Sequence, residues 1–239
     1  MAEPAAGAEQ AAGTERAAGP RLAILDYGMG NLRSVEKAFE RVGAPAAITS
    51  DPAVVEAADG LILPGVGAFP RAMERIRELG WDELVPARSA AGLPVLGICL
   101  GYQLLFESSE EQGGADGLGL LAGTVRTLSA PGLKVPHIGW EPVHWQRESP
   151  LLKGIASGEA FYFVHSLTPE PTADEVLGLA DFGAPFAAAA EAGRVYGVQF
   201  HPEKSSAAGL RLLANFARIC GLHCRGARDG AHVDGGGAS

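Results

Sequence analysis

Only three cysteines occur in 239 residues, an odd number, and Cys99 lies far along the chain from Cys220 and Cys224. No disulfide framework is available, and a reducing compartment, the cytoplasm, is expected. Cys220 and Cys224 flank His223, but a second ligand pair at metal-site spacing is missing, so no metal centre is expected. Long apolar runs are absent: none approaches the roughly 18 residues of a membrane helix. The N-terminus also lacks a basic stretch leading into an apolar signal core. A membrane role is thereby disfavoured. Dense Lys/Arg clusters are lacking, and 19 basic against 28 acidic residues leave a net charge of −9, which argues against a nucleic-acid partner. The nucleotide-cradling patterns G-x-x-x-x-G-K-[ST] and G-x-G-x-x-G are not in place either.

What remains is a composition 47% hydrophobic and 20% charged, ordinary for a globular protein and long enough for one sizeable core. Residues 1–19, almost all Ala, Gly, Glu and Pro, cannot bury enough apolar area to offset the entropy of ordering. The Gly- and Asp-rich segment 225–239 has the same defect. Two disordered tails and one folded domain, 20–224, are expected. Within the domain, short apolar runs alternate with amphipathic stretches. "RLAILDYG", "DGLILPGVG" and "PVLGIC" read as strands; "NLRSVEKAFERVG", "RAMERIRELGWDELV" and "LGYQLLFES" read as helices. Later come "GTVRTL", "AFYFVHS", "EVLGLADFG" and "RVYGVQF" as strands, some of them antiparallel, then a last helix "SAAGLRLLANFARIC". This alternation predicts an α/β fold whose mostly parallel sheet carries helices on both faces.

In such folds the loops at the carboxyl ends of the strands build the site. Three strand ends carry unusual residues. Gly97-Ile98-Cys99-Leu100-Gly101 is the nucleophile-elbow pattern with sulfur in place of oxygen, and it aims the thiol at a helix N-terminus. An ordinary buried cysteine would also satisfy these five residues. "VYGVQFHPEKS" sets His201 just after a strand and Glu203 two residues on. An imidazole and a carboxylate are what a thiol nucleophile needs as base and orienter, although a turn histidine and a solvated carboxylate would fit each alone. "LPGVGAF" is a glycine loop whose freed N–H groups, with the Leu100 amide, could face an oxyanion; a plain tight turn is the alternative.

Together with "DYGMGNLRSV", "GICLGYQLLFESSEE", "VPHIGWE" and "FYFVHS", these segments resemble the class I (triad) glutamine amidotransferases. More narrowly they resemble the glutaminase subunit of imidazole glycerol phosphate synthase, in family order from Arg21 to Gly221. The resemblance implies a flavodoxin-like three-layer fold and hydrolysis of L-glutamine through a cysteinyl thioester. It implies Cys99 as nucleophile, His201 as acid and base, and Glu203 as its orienter. Gly65, Val66, Gly67 and Leu100 would form the oxyanion hole, the loop needing a peptide rearrangement before it works, and Gln103, Glu111 and Ser166 would hold the substrate. No cofactor is implied. The implied partner is a (β/α)₈ cyclase subunit in a heterodimer, reached through Asn31, Tyr162 and Lys204. A glutaminase serving another synthase, or a non-enzymatic sensor with an elbow cysteine, would share parts of this pattern. Two residues depart from the family: Glu141 stands where Asn is common and Leu167 where Tyr is common. Of the remaining histidines, His137 and His165 lie inside family motifs.

Overall fold

The computed structural model describes residues 19–230; of the expected tails, 1–19 and 225–239, residues 1–18 and 231–239 lie outside that range. Strand β1 (Leu22–Leu25) leads to α1 (Leu32–Arg41), which buries Val35, Ala38 and Phe39 at helical spacing. β2 (Ala46–Thr49) precedes a short α2 (Pro52–Glu56), started by the Asp51 carboxylate accepting the Ala53 N–H. β3 (Gly60–Gly65) is followed by α3 (Phe69–Glu78) and α4 (Trp81–Ala90). The stretch read as one helix is therefore two, because Gly80 adopts φ 68° between them. β4 (Val95–Cys99) enters α5 (Leu100–Leu104), and the chain then leaves as β5 (Phe106–Ser109). The "LGYQLLFES" helix is thus cut short, since pairing of Phe106, Ser108 and Ser109 in a second sheet outweighs local helical spacing.

The strand-rich half comprises β6 (Ala115–Asp116), β7 (Leu121–Thr127), β8 (His137–Trp145), β9 (Glu159–His165) and β10 (Leu167–Pro171). β11 (Val176–Asp181), β12 (Pro185–Ala192) and β13 (Val195–Val198) complete it. The last helix, α6 (Ser206–Gly230), continues past residue 224, where the sequence suggested a tail. No proline interrupts it, and each added residue gains one backbone bond once the helix is nucleated.

The main sheet has nine strands in the order β2-β1-β3-β4-β13-β12-β11-β8-β9. From β2 to β13 every pair is parallel; from β13 outward every pair is antiparallel. The parallel character predicted from the alternating pattern belongs to the first half of the sheet only, because the later strands follow one another without crossover helices. A second sheet, β10-β7-β5-β6, lies beside it.

Neighbouring residues of one strand feed opposite cores. Ile24, Ile62 and Leu96 pack with Phe39 of α1 and Leu212 and Phe216 of α6. Leu25, Leu61 and Val95 pack instead with Met73 and Ile76 of α3 and Trp81 and Val85 of α4. This double burial explains why β3 and β4 read as unbroken apolar runs, and it makes three layers. β3, β4 and β13 are adjacent at the sheet's centre, so their carboxyl ends deliver three loops to one place.

Candidate active site

Cys99 ends β4 at φ 56° and ψ −112°, a conformation L-residues avoid at a cost of about 1–3 kcal/mol. The glycines around it are needed for space. A Cβ on Gly101 would lie 1.6 Å from the Leu63 carbonyl oxygen, and one on Gly97 would lie 2.6 Å from the Gly101 carbonyl oxygen. The elbow therefore sits against β3 with no room for a methyl group. Cys99 lines a cavity of about 330 Å³ together with Val66, Gly67, Leu100, Gln103, Glu111, Ser166, His201 and Lys204. A larger cavity of about 600 Å³ beside Trp145, Arg147 and Lys153 holds none of the sequence-predicted residues.

His201 follows β13, with its N–H donating to the Tyr162 carbonyl at 2.9 Å. Buried Ser205 locks this turn: its hydroxyl donates to the His201 carbonyl at 2.7 Å and accepts the Tyr162 N–H at 3.0 Å. The imidazole Nδ1 lies 2.9 Å from Glu203 Oε1, and the two side chains are only 6% and 2% exposed. A carboxylate only accepts, so Nδ1 carries the hydrogen. Burial alone would lower the His201 pKa; hydrogen bonds to Cys99 and Glu203, and their charges, override it and raise the value to about 9. The second oxygen of Glu203 is buried without a partner.

At the glycine loop, Tyr27 donates to the Pro64 carbonyl at 2.7 Å, and a Cβ on Gly65 would strike the Tyr27 hydroxyl at 2.1 Å. Gly65 is thus pinned, paired in register with Cys99. Val66 and Gly67 are exposed, and Gly67 adopts φ 120° with Met29 packed over it.

Gln103 donates both amide hydrogens within the protein, to the Leu167 carbonyl at 3.2 Å and to Gln199 Oε1 at 3.0 Å. Glu111 Oε2 accepts the Phe69 N–H at 2.7 Å, at the first turn of α3. The Ser166 carbonyl accepts the Leu128 N–H. Asn31 occupies the N-cap of α1 but makes no side-chain cap bond, and with Gly65, Val66, His201 and Glu203 it lines a small cleft beside the main cavity. Tyr162 faces outward on β9, with Lys204 Nζ 5.9 Å from its ring centre and Trp140 at 5.8 Å ring to ring. Glu203, Gly65, Asn31 and Tyr162 do not line the main cavity.

Four neighbours of the site escape the sequence reading: Gln199, Ser205, Met29 and Trp140. A lone polar residue in the apolar run "VYGVQF" is the available signal for Gln199; Met29, Trp140 and Ser205 lie inside the family-like segments, which assign them no role. His137 and His165 form a buried pair. His165 Nδ1 donates to the Leu167 carbonyl at 2.8 Å, so its Nε2 accepts from His137 Nδ1 at 3.0 Å. Burial pushes His165 down to about 4, more than its bond to Leu167 raises it, with His137 and His201 adding to the fall. Glu141 lies 3.7 Å from the remaining nitrogen, His137 Nε2. Among the described residues no group of three His, Cys, Asp or Glu is placed to hold a metal, and Cys220 is buried with its thiol pushed up by burial. No helix among them is long and apolar enough to cross a membrane.

The family model "glutamine amidotransferase class-I" matches residues 23–220. The chain is 50% identical over 199 residues to the imidazole glycerol phosphate synthase subunit HisH of Moorella thermoacetica, covering 83% of this chain and 94% of that one. It is 48% identical to the subunit of the same name from Methanothermobacter thermautotrophicus, covering 83% of this chain and 98% of that one. A crystal structure of a glutamine amidotransferase superposes with a TM-score of 0.67 at 23% identity, covering 84% of this chain and 98% of that one. A chain from the structure of PurLQS from Thermotoga maritima superposes with a TM-score of 0.65 at 19% identity, covering 84% of this chain and 99% of that one. These two share the fold. With its elbow cysteine, buried histidine and carboxylate at the centre of that fold, the chain belongs to the class I glutamine amidotransferases and, within them, to the family of imidazole glycerol phosphate synthase subunit HisH.

Proposed function

We propose that the chain is the glutaminase subunit of an imidazole glycerol phosphate synthase, in which Cys99 attacks the side-chain amide of L-glutamine. The buried sequence Cys99, His201, Glu203 at the strained elbow is the observation that carries this reading. An S–C bond forms and the carbonyl oxygen becomes an oxyanion, held by the Leu100 amide and the Gly65-Val66-Gly67 loop. His201, titrating near 9 and so protonated at neutral pH, gives its proton to the departing nitrogen as the C–N bond breaks. Water then attacks the thioester, its proton passes to His201, and glutamate leaves. Glu203 keeps the imidazole in the tautomer that this shuttle needs.

The substrate's charges fit the cavity. Gln103 has donated both its hydrogens, so only its oxygen remains to offer, and Glu111 has one oxygen beyond the Phe69 bond. Two such acceptors suit the α-ammonium of glutamine, while Ser166 lies on the rim available to its α-carboxylate.

Ammonia released into water would be protonated and lost as a nucleophile, so a shielded path to a second active site is required. The partner is a (β/α)₈ cyclase that forms imidazole glycerol phosphate and aminoimidazole carboxamide ribotide in histidine biosynthesis, in the cytoplasm. The outer face of the β8–β9 edge supports such docking. Ile138 and Trp140 are 61% and 49% exposed there, beside Tyr162, and Lys204 joins this face to the cavity. Asn31, its amide uncommitted to α1, belongs to the same contact.

The test is glutamate release from glutamine by the chain alone, with the cyclase, and with the cyclase plus an analogue of its substrate. Strong activation in the last mixture is expected. Equal turnover in all three would refute a partner-controlled glutaminase. Cys99→Ala should abolish glutamine-dependent synthesis by the complex and leave ammonia-dependent synthesis intact; loss of both would contradict the division of labour.

A further inference from the structure

We infer that Gln199 donates a hydrogen bond to the Cys99 sulfur and holds the thiolate form of the nucleophile. The Gln199 side chain is fully buried, and its Nε2 lies 3.8 Å from Cys99 Sγ, within the longer reach of sulfur as acceptor. Which end of this amide meets the sulfur is decided by its neighbours. The Leu167 carbonyl is an acceptor only, so Gln103 must present its NH₂ group there. The other hydrogen of that group is then donated to Gln199 Oε1 at 3.0 Å. With its oxygen taken, Gln199 has only N–H to turn toward Cys99. Reversing it would set two NH₂ groups against each other and the Gln199 oxygen against the sulfur, in a buried site. The Leu167 carbonyl is itself fixed by accepting from His165 Nδ1.

The other group at the sulfur has the opposite preference. The Val164 carbonyl, 3.8 Å from Sγ, can accept from the thiol but repels a thiolate. Protonated His201 is a cationic donor to it, but it must leave the sulfur to deliver its proton to the nitrogen of the substrate. Gln199 donates throughout the cycle. It is thus a second, neutral donor that retains the thiolate while His201 is committed elsewhere, and the thiolate is again the leaving group when the thioester is cleaved. In the chain Gln199 is 100 positions from Cys99, and only the pairing of β13 with β4 brings them together.

The inference rests on Cys99 being the nucleophile, and the two can be tested apart without substrate. The full chain is alkylated with iodoacetamide across a pH series, and modification at Cys99 is read by peptide mass spectrometry, which separates it from Cys220 and Cys224. Fast alkylation of wild-type Cys99 at neutral pH is expected from a nucleophile; a rate no higher than that of an ordinary thiol removes the proposed role of Cys99 itself. Gln199→Met keeps the volume and loses the donor, so its pH–rate profile should move up by about one pH unit, a tenfold loss of rate on the rising limb. Gln103→Met, which frees Gln199 to turn, should move it the same way by less. A Gln199→Met profile that coincides with wild type overturns the inference, whatever happens to thermal stability. If that variant does not fold, Gln199→Glu keeps the shape and the acceptor for Gln103 and lacks the donor. It must shift the profile further upward, and coincidence with wild type again overturns the inference.

Discussion

Replacing Glu203 by Gln removes a charge from the proposed triad and almost nothing else. The carboxylate meets His201 Nδ1 at 2.9 Å, both side chains are buried, and the isosteric amide leaves no cavity. A charge-assisted hydrogen bond contributes about 1.5–3 kcal/mol and a neutral one about 0.5–1.5, so the change weakens support of the imidazolium by roughly 1–2 kcal/mol. Converted at 1.36 kcal/mol per decade, kcat for glutamine hydrolysis should fall by about 5- to 30-fold. A further fall is expected where the amide turns its NH₂ toward Nδ1 and enforces the wrong tautomer. KM should hold, because Glu203 does not line the substrate cavity. The assay is steady-state glutamate release by the activated complex, with the imidazole of His201 followed by NMR. Its titration, near 9 in the wild type, should drop, since burial opposes the charged form and one of the two supporting bonds has lost its charge. Stability responds with a definite sign. A histidine whose folded pKa lies above its unfolded 6.5 contributes fully below pH 6.5 and loses that contribution as pH rises through about 9. The gap in unfolding free energy between wild type and variant should therefore be widest below pH 6.5 and close toward pH 9. An unchanged kcat, a defect confined to KM, or a gap that widens with pH would refute the reasoning.

The elbow and the proposed docking face yield two further expectations. Gly101→Ala places a methyl carbon 1.6 Å from the Leu63 carbonyl, so the start of α5 must move. At least about 3 kcal/mol of stability should be lost in urea denaturation, with no measurable turnover, whereas Gly139→Ala, with nothing nearer than 4.0 Å, should stay within about 0.5 kcal/mol. Trp140→Ala and Tyr162→Ala should each weaken cyclase binding by roughly 30-fold in calorimetry, the scale of an aromatic anchor. Val54→Ala, on α2 beside the opposite edge of the sheet, should leave it unchanged.

The sequence was informative where one strand or helix carries its own pattern. Strands β1, β3 and β4 stand out because both faces are buried, and the glycines beside Cys99 advertise a turn that admits no Cβ. It was silent where the partner decides. The alanine-rich β12 lacks β-branched residues, yet Ala188, Ala189 and Ala190 are wholly buried between β11 and β13. The helical spacing of "LGYQLLFES" is real, but Phe106 is claimed by β7. The same division runs through the candidate site. Cys99, His201 and Glu203 are visible as strand-end residues with the right chemistry. Which amide of Gln103 or Gln199 faces which atom is a property of contacts between residues about a hundred positions apart, and no local pattern encodes it. Ser205 shows this most clearly. In the sequence it is one serine of the pair after Lys204; in the fold its hydroxyl joins β9 to the turn that carries His201. Tyr162, whose ring faces outward beside Trp140, is held through its backbone to both Ser205 and His201. The proposed docking face and the turn that carries the proposed base, His201, thus meet at one residue, a relation that exists only once β9 lies against β13's end.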